Sequence, residues 1–235
     1  MTDQAIRRWS GFAGVAAWVI LIGALPLYFF TNGPAAPLDA TQAFSAFVAR
    51  NRNLFLTRHA LTDPLIMAGF CVFLAGFCHA LRRARADCDW LASIVFGSGL
   101  IYIAITLVGD ALEGGAALDT FVNPDPSVVR GLVEGGLLLY GANVLVVGAL
   151  LMAAAGWGIL ASGAMPKWIG WFALLGAVGN LVGVPAMYGG TDATQFFTVA
   201  GFITFIGWGA LGLWILIASL ALIITKPKPA AHGGG

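Results

Sequence analysis

The sequence predicts an all-α protein of the membrane, a polytopic transmembrane helical bundle of about six spans with both termini on the cytoplasmic side. Three observations predict it. Of 235 residues, 59% are hydrophobic and only 10% charged, and the mean hydropathy is +0.88. A soluble domain carries about 25% charged residues, so this chain has too few to coat a water-facing surface. The apolar residues gather into six runs, each near or above the ~20 residues that a helix needs to cross hydrocarbon. Finally, the arginines fall unevenly between those runs, which gives the bundle a direction.

The runs are Gly11–Phe30, Pro64–Leu81, Trp90–Leu112, Gly135–Leu160, Trp168–Met187 and Phe197–Thr225. None shows the period-two alternation of an outer-membrane barrel. Together they make one membrane domain over residues 1–225, and the Pro-, Ala- and Gly-rich residues 226–235, with His232, are expected to be disordered. The first run follows Arg7-Arg8 and precedes Pro34-Ala35-Ala36, the outline of a cleaved leader, but its roughly 20 apolar residues exceed the usual signal core. Between the first two runs, Asn32-Gly33-Pro34-Ala35-Ala36-Pro37 reads as an irregular loop. Thr41–Phe55 mixes Phe44, Phe47, Val48, Leu54 and Phe55 with polar residues. It reads either as an amphipathic helix on the outer interface or as a helix packed over the bundle mouth. Thr62-Asp63-Pro64 looks like an N-cap with proline at the first helical position, and Asp125-Pro126-Ser127 reads the same way for a fourth helix that starts before it enters hydrocarbon. Met165-Pro166-Lys167 starts the fifth helix after a Ser-Gly-Ala turn. Pro26 and Pro185 stand where a helix kinks or ends.

Orientation follows from the basic residues. With the N-terminus inside, Arg7, Arg8, Arg82, Arg83, Arg85, Lys167, Lys226 and Lys228 are cytoplasmic, eight of the twelve basic residues. Arg50, Arg52, Arg58 and Arg130 are outside. The short Arg82–Arg85 connection decides, because such loops govern topology. Trp9, Trp90, Trp157, Trp168 and Trp171 fall near the cytoplasmic interface as an aromatic belt.

Several function classes drop out. A net charge of +1 and the lack of a Lys/Arg stripe exclude nucleic acid as a partner. Cys71, Cys78 and Cys88 have no zinc spacing and read as small packing residues. His59 and His79 lie near opposite faces of the membrane and cannot share a haem. No mid-span lysine offers a Schiff base, no HExxH-type pattern exists, and no nucleophile–base pair is identifiable. No cofactor is implied. Asn143 and Asn180 suit interhelical hydrogen bonds, and Gly131/Gly135, Gly179/Gly183 and Gly207/Gly209/Gly212 suit close helix packing, within one bundle or between copies.

The remaining signal is charge at one level. Helix two begins outside with Arg58, His59 and Asp63, helix three ends outside with Asp110 and Glu113, and helix four begins outside with Arg130 and Glu134. Topology alone gathers four carboxylates, two arginines and one histidine in the outer leaflet or its interface. Asp110 and Glu113 share a helix face, as do Arg130 and Glu134; His59 and Asp63 would do so only if the helix started before Pro64, which the cap disfavours.

The stretch Ser162–Trp171, continued by Phe172-Ala173-Leu174-Leu175-Gly176, resembles a turn in an uncharacterised family of bacterial six-helix integral membrane proteins of unknown function. There a small-Gly-x-x-Pro-Arg/Lys turn introduces the fifth helix, and Asn51-Arg52-Asn53-Leu54-Phe55 is also similar. The resemblance implies the bacterial cytoplasmic (inner) membrane and six spans, and carries over no activity. The charge cluster reads either as interfacial ion pairs and caps that orient the helices or as a functional site, and three readings of the protein's role follow. The leading one is a small-ligand or ion-binding protein of transporter or sensor type, using the extracytoplasmic acidic cluster for a small polar ligand, a cation or protons. The others are a non-catalytic accessory or assembly subunit, held to a membrane-protein partner or to copies of itself, and a metal-dependent membrane enzyme.

Overall fold

The computed structural model describes residues 2–32, 40–121, 124–192 and 194–225. The expected irregular loop at 33–37 and the expected disordered tail at 226–235 lie outside the described residues. Helix dominates and no strand occurs among the described residues, as lipid requires, because a spanning backbone must satisfy its polar groups within the segment. The described residues form eight α-helices: α1 (Asp3–Asn32), α2 (Thr41–Thr57), α3 (Asp63–Ala84), α4 (Asp89–Asp119), α5 (Pro126–Leu138), α6 (Val144–Ser162), α7 (Lys167–Gly183) and α8 (Phe202–Ile224).

Two pairs of these follow each other without a loop, the second across a kink at Gly141. α2 and α3 run on through a π-helical turn at Arg58–Thr62, and α5 and α6 through another at Leu139–Asn143. Six stretches are therefore long and apolar enough to cross a membrane, beginning at Asp3, Thr41, Ala86, Pro126, Lys167 and Phe202. The chain is a multi-pass integral membrane protein. At about 1.5 Å per residue, the 44-residue Thr41–Ala84 rod is far longer than hydrocarbon needs, so its first half forms a separate layer.

That layering governs everything above the main core. The larger core joins α3, α4, α6, α7 and α8 through residues such as Phe73, Phe77, Leu151, Met152 and Trp214. A smaller one joins α2, the end of α4, α5 and the residues before α8 through Phe44, Phe55, Ala117, Val133 and Val199. Of the two readings of Thr41–Phe55, the helix packed over the bundle mouth is the one seen. Phe44, Phe47, Val48 and Phe55 are buried beneath it.

The cap expected at Thr62 is overturned. Thr62 has helical dihedrals and caps nothing; its hydroxyl donates instead to the Thr57 carbonyl at 3.1 Å. Pro64 has no N–H for the preceding turn and its ring crowds a carbonyl there. The wide turn before it, in which the Asp63 N–H reaches back to the Arg58 carbonyl, accommodates that defect without ending the helix. The second reading succeeds: Asp125 accepts from the Ser127 N–H at 2.8 Å, with Pro126 at the first helical position. The sixth helix starts at Phe202 rather than Phe197, and Pro185 lies in the 3-10 turn Val184–Gly189 that ends α7.

The end of the bundle opposite the smaller core is tied by exposed ion pairs and by a hydrogen bond from the buried Arg7. Arg83 meets Asp3, Arg82 meets Asp89, and Arg7 donates to Thr225 at 2.7 Å. The beginning of α1, the α3–α4 turn and the end of α8 thus share one end. All five belt tryptophans are exposed. α6 and α7 cross where a Cβ at Gly156 would lie 2.7 Å from the Gly170 carbonyl oxygen, and one at Gly170 would lie 2.9 Å from that of Gly156; only glycine lets backbones meet so closely. Gly183 and Gly207 both face Leu145, whereas Gly131, Gly179 and Gly209 face open space. Asn180 donates to the Gly207 carbonyl of α8 at 3.3 Å and to Gly176 at 2.8 Å. Cys78, buried, donates weakly to the Ala92 carbonyl.

Candidate functional site

Each rod changes character at one level, between the two cores. On the α2–α3 rod the sequence passes from Phe55 through Arg58, His59 and Asp63 to Phe70. On α4 it passes from Tyr102 through Thr106, Asp110 and Glu113 to Ala116. On the kinked α5–α6 pair, Tyr140 separates Leu137 from Val144. Both π-turns fall at this level, and π-turns inside α-helices frequently mark functional sites. The extra residue in the Arg58–Thr62 turn rotates the rod, so that Arg58, His59 and Asp63 are all directed inward with at most 4% of their surface exposed.

The result is a sealed polar network. His59 Nδ1 lies 2.9 Å from Asp110 Oδ1, and its Nε2 lies 2.9 Å from Glu113 Oε2. Asp63 Oδ2 stands 3.9 Å from His59 Nδ1 and 3.4 Å from Arg58 Nε. Arg58 Nη1 donates to Thr31 Oγ1 at 2.7 Å and lies 3.8 Å from Glu113 Oε2. Its guanidinium stacks 4.4 Å above the Tyr28 ring. Two phenols complete the network: Tyr28 donates to Asp63 Oδ1, and Tyr140 donates to Asp110 Oδ1 at 2.5 Å. Asp110 Oδ2 is buried and takes no hydrogen bond among the described residues.

Supporting structure holds these groups in place. The backbone leaves helical geometry at Gly141, and the Trp208 indole donates to the Tyr140 carbonyl at 3.0 Å. A Cβ at Gly109 would sit 2.9 Å from the Tyr140 ring, and one at Gly136 would sit 2.8 Å from Glu113 Cγ. Glycine at these two positions lets α5 and the Tyr140 turn close directly over the acids.

Five of the seven predicted site residues converge here: Arg58, His59, Asp63, Asp110 and Glu113. Arg130 and Glu134 stand elsewhere. They pair with each other at 2.7 Å on a half-exposed face of α5, where Arg130 also donates to Thr41 Oγ1 at 2.9 Å. His59 and Asp63 share a helix face because the helix does not begin at Pro64. Sequence reasoning missed Tyr28, Thr31 and Tyr140. A signal was present, since a tyrosine inside an apolar run needs a partner for its hydroxyl.

The charge inventory limits the chemistry. Among the described residues, three carboxylates face one arginine and one histidine, which gives a net charge of −1 with His59 protonated and −2 with it neutral. A neutral imidazole has one N–H to give, yet each His59 nitrogen faces a carboxylate oxygen. Unbalanced charge in a low-dielectric interior costs several kcal/mol (roughly) per ion, so the network calls for at least one added proton or cation. His59, Asp63 and Asp110 each offer a ligand atom, all within 4.8 Å of one another, a nitrogen–oxygen set suited to a cation. Arg58 already supplies one positive charge against Asp63, which favours a proton or a monovalent ion over a divalent metal.

A pocket of about 110 Å³ adjoins the network. Tyr28, Arg58, Asp63 and Tyr140 form its polar end; its walls come from α1, α3, α4, α6 and α8, with Phe70, Met67, Leu211 and Ile215 among them. Searches against family models, curated proteins and solved structures find no match to this chain. The functional reading therefore stands on the geometry of this layer.

Proposed function

We propose that this protein is a cation- or proton-binding membrane protein of transporter or sensor type, whose site is the Arg58–His59–Asp63–Asp110–Glu113 layer. One observation carries the reading: a buried network with more carboxylates than cations, placed beside a pocket. Interfacial ion pairs that merely orient helices have no need of such a deficit. In a membrane interior, ionisable residues pair with each other and mark pathways for ions or protons. The basic α3–α4 turn supports an orientation with that end in the cytoplasm, which turns the charged layer toward the extracytoplasmic side of a bacterial inner membrane.

The test is proton and ion exchange by purified protein in lipid nanodiscs. A pH-indicator titration in weak buffer, with and without sodium or potassium, should record uptake of about one proton per chain, the number that the charge count calls for. Asp110→Asn/Glu113→Gln should lose that uptake while remaining helical and monodisperse. A double variant that exchanges protons and ions like the wild type would remove the reading and leave the accessory-subunit alternative.

A further inference from the structure

The pocket lies on the side of the charged layer that faces the larger core, and its lining is chemically uneven. One end presents the Asp63 carboxylate, the Tyr28 and Tyr140 rings and the Arg58 guanidinium. The rest of the lining is apolar and aromatic: Trp18 and Phe70 contribute ring surface, Ile66, Leu211 and Ile215 contribute aliphatic surface, and Trp208 packs against Tyr140. Such a cavity, mostly apolar with a few convergent polar groups, is the general form of a small-molecule site. At about 10–15 Å³ of such space per water, it takes a body on the order of ten heavy atoms.

The sign of the ligand's charge follows from what already surrounds Arg58. Its guanidinium charge is already opposed by two carboxylates, with the Thr31 hydroxyl and the Tyr28 ring beside it; its Nε is buried without a hydrogen bond among the described residues, but an anion there would add to a layer that already carries more negative than positive charge. Asp63, in contrast, belongs to a layer short of positive charge, and one carboxylate oxygen of that layer, Asp110 Oδ2, is buried without a hydrogen bond among the described residues. Tyr28 and Tyr140 both line the pocket, and although Arg58 already covers one face of Tyr28, aromatic rings in such a wall attract cations. We infer that the pocket binds a small hydrophobic amine as its ammonium cation, with Asp63 as counter-charge and the aromatic and aliphatic walls around its body. This rests on the reading of the layer as a cation site and names the class of organic cation it takes.

Three probes of one size separate charge from greasiness: phenethylamine, phenylethanol and phenylpropionate, measured by equilibrium dialysis against the protein in phosphatidylcholine nanodiscs. Phenethylamine should bind saturably at one per chain, with the alcohol and the carboxylate at least tenfold weaker. Asp63→Asn should weaken the amine at least tenfold. Because Asp63 touches the network, Gly212→Leu is the second variant: a Cβ there meets only Leu21 Cδ2, at an ordinary 3.5 Å, and the rest of the side chain occupies the pocket. It should lose the amine at least tenfold while keeping the proton uptake of the wild type. Equal binding of amine and alcohol, or unchanged amine binding in Gly212→Leu, overturns this inference even where proton uptake is intact. Absence of proton uptake in the wild type overturns the cation-site reading itself.

Discussion

The α3–α4 end of this bundle and the layer between its two cores carry the same residue types in very different surroundings. At the α3–α4 end, Arg82 lies 2.6 Å from Asp89, Arg83 lies 3.2 Å from Asp3, and His79 lies 3.2 Å from Asp3. In the layer between the cores, Arg58 stands 3.4 Å from Asp63 and 3.8 Å from Glu113. By distance alone, the first set looks stronger. Exposure reverses the ranking: the Arg82 and Asp89 side chains are 45% and 68% exposed, whereas those of Arg58 and Asp63 are 1% and 3% exposed. Water screens the first set and leaves it nearly neutral in energy. The second has no water to retreat to, so removal of one member strands the others. Burial and charge balance, rather than bond length, separate the exposed pairs of the α3–α4 end from the buried layer.

That contrast can be broken from either side. The largest effect belongs to Arg58→Leu, which strands Asp63 and Glu113. It should destabilise the protein by about 3–5 kcal/mol, read as a large fall in thermal midpoint or failure to accumulate, and Arg58→Lys should recover part of the loss. Tyr140→Phe removes one hydrogen bond from a buried carboxylate and should cost about 1–3 kcal/mol by the same melt, with the helix content unchanged. Arg82→Ala, which breaks the shortest arginine pair at the α3–α4 end, should change stability by no more than about 0–1 kcal/mol. Equal effects at Arg58 and Arg82 would dissolve the distinction between the two regions.

Much of this was legible before any coordinates, and the failures have physical causes. Six spans follow from apolar runs because lipid leaves the backbone no alternative to helix. The Asp125 cap was readable because cap, proline and helix are adjacent in the chain. At Thr62 the same signature misleads. A helix packed on two cores can absorb a proline by widening one turn, and nothing local distinguishes that outcome from a helix start. Arg130 and Glu134 illustrate the limit of topology. The inward positions of α5 are taken by Val129, Val133 and Gly136, so the charged pair turns outward and satisfies itself. Tyr28, Thr31 and Tyr140 belong to the layer only through pairings across helices, which residue spacing within one run does not reveal.

The central claim is that the buried layer holds more carboxylates than it can neutralise and completes itself with a proton or cation. Infrared spectroscopy of the protein in nanodiscs at neutral pH, free of added metal, tests it most directly through the carbonyl stretch of a protonated carboxylic acid. The account predicts such a band, shielded from solvent, lost in Asp63→Asn, Asp110→Asn or Glu113→Gln, and diminished when a bound cation replaces the proton. A spectrum with every carboxyl group ionised, in protein shown by elemental analysis to carry no cation, would contradict it.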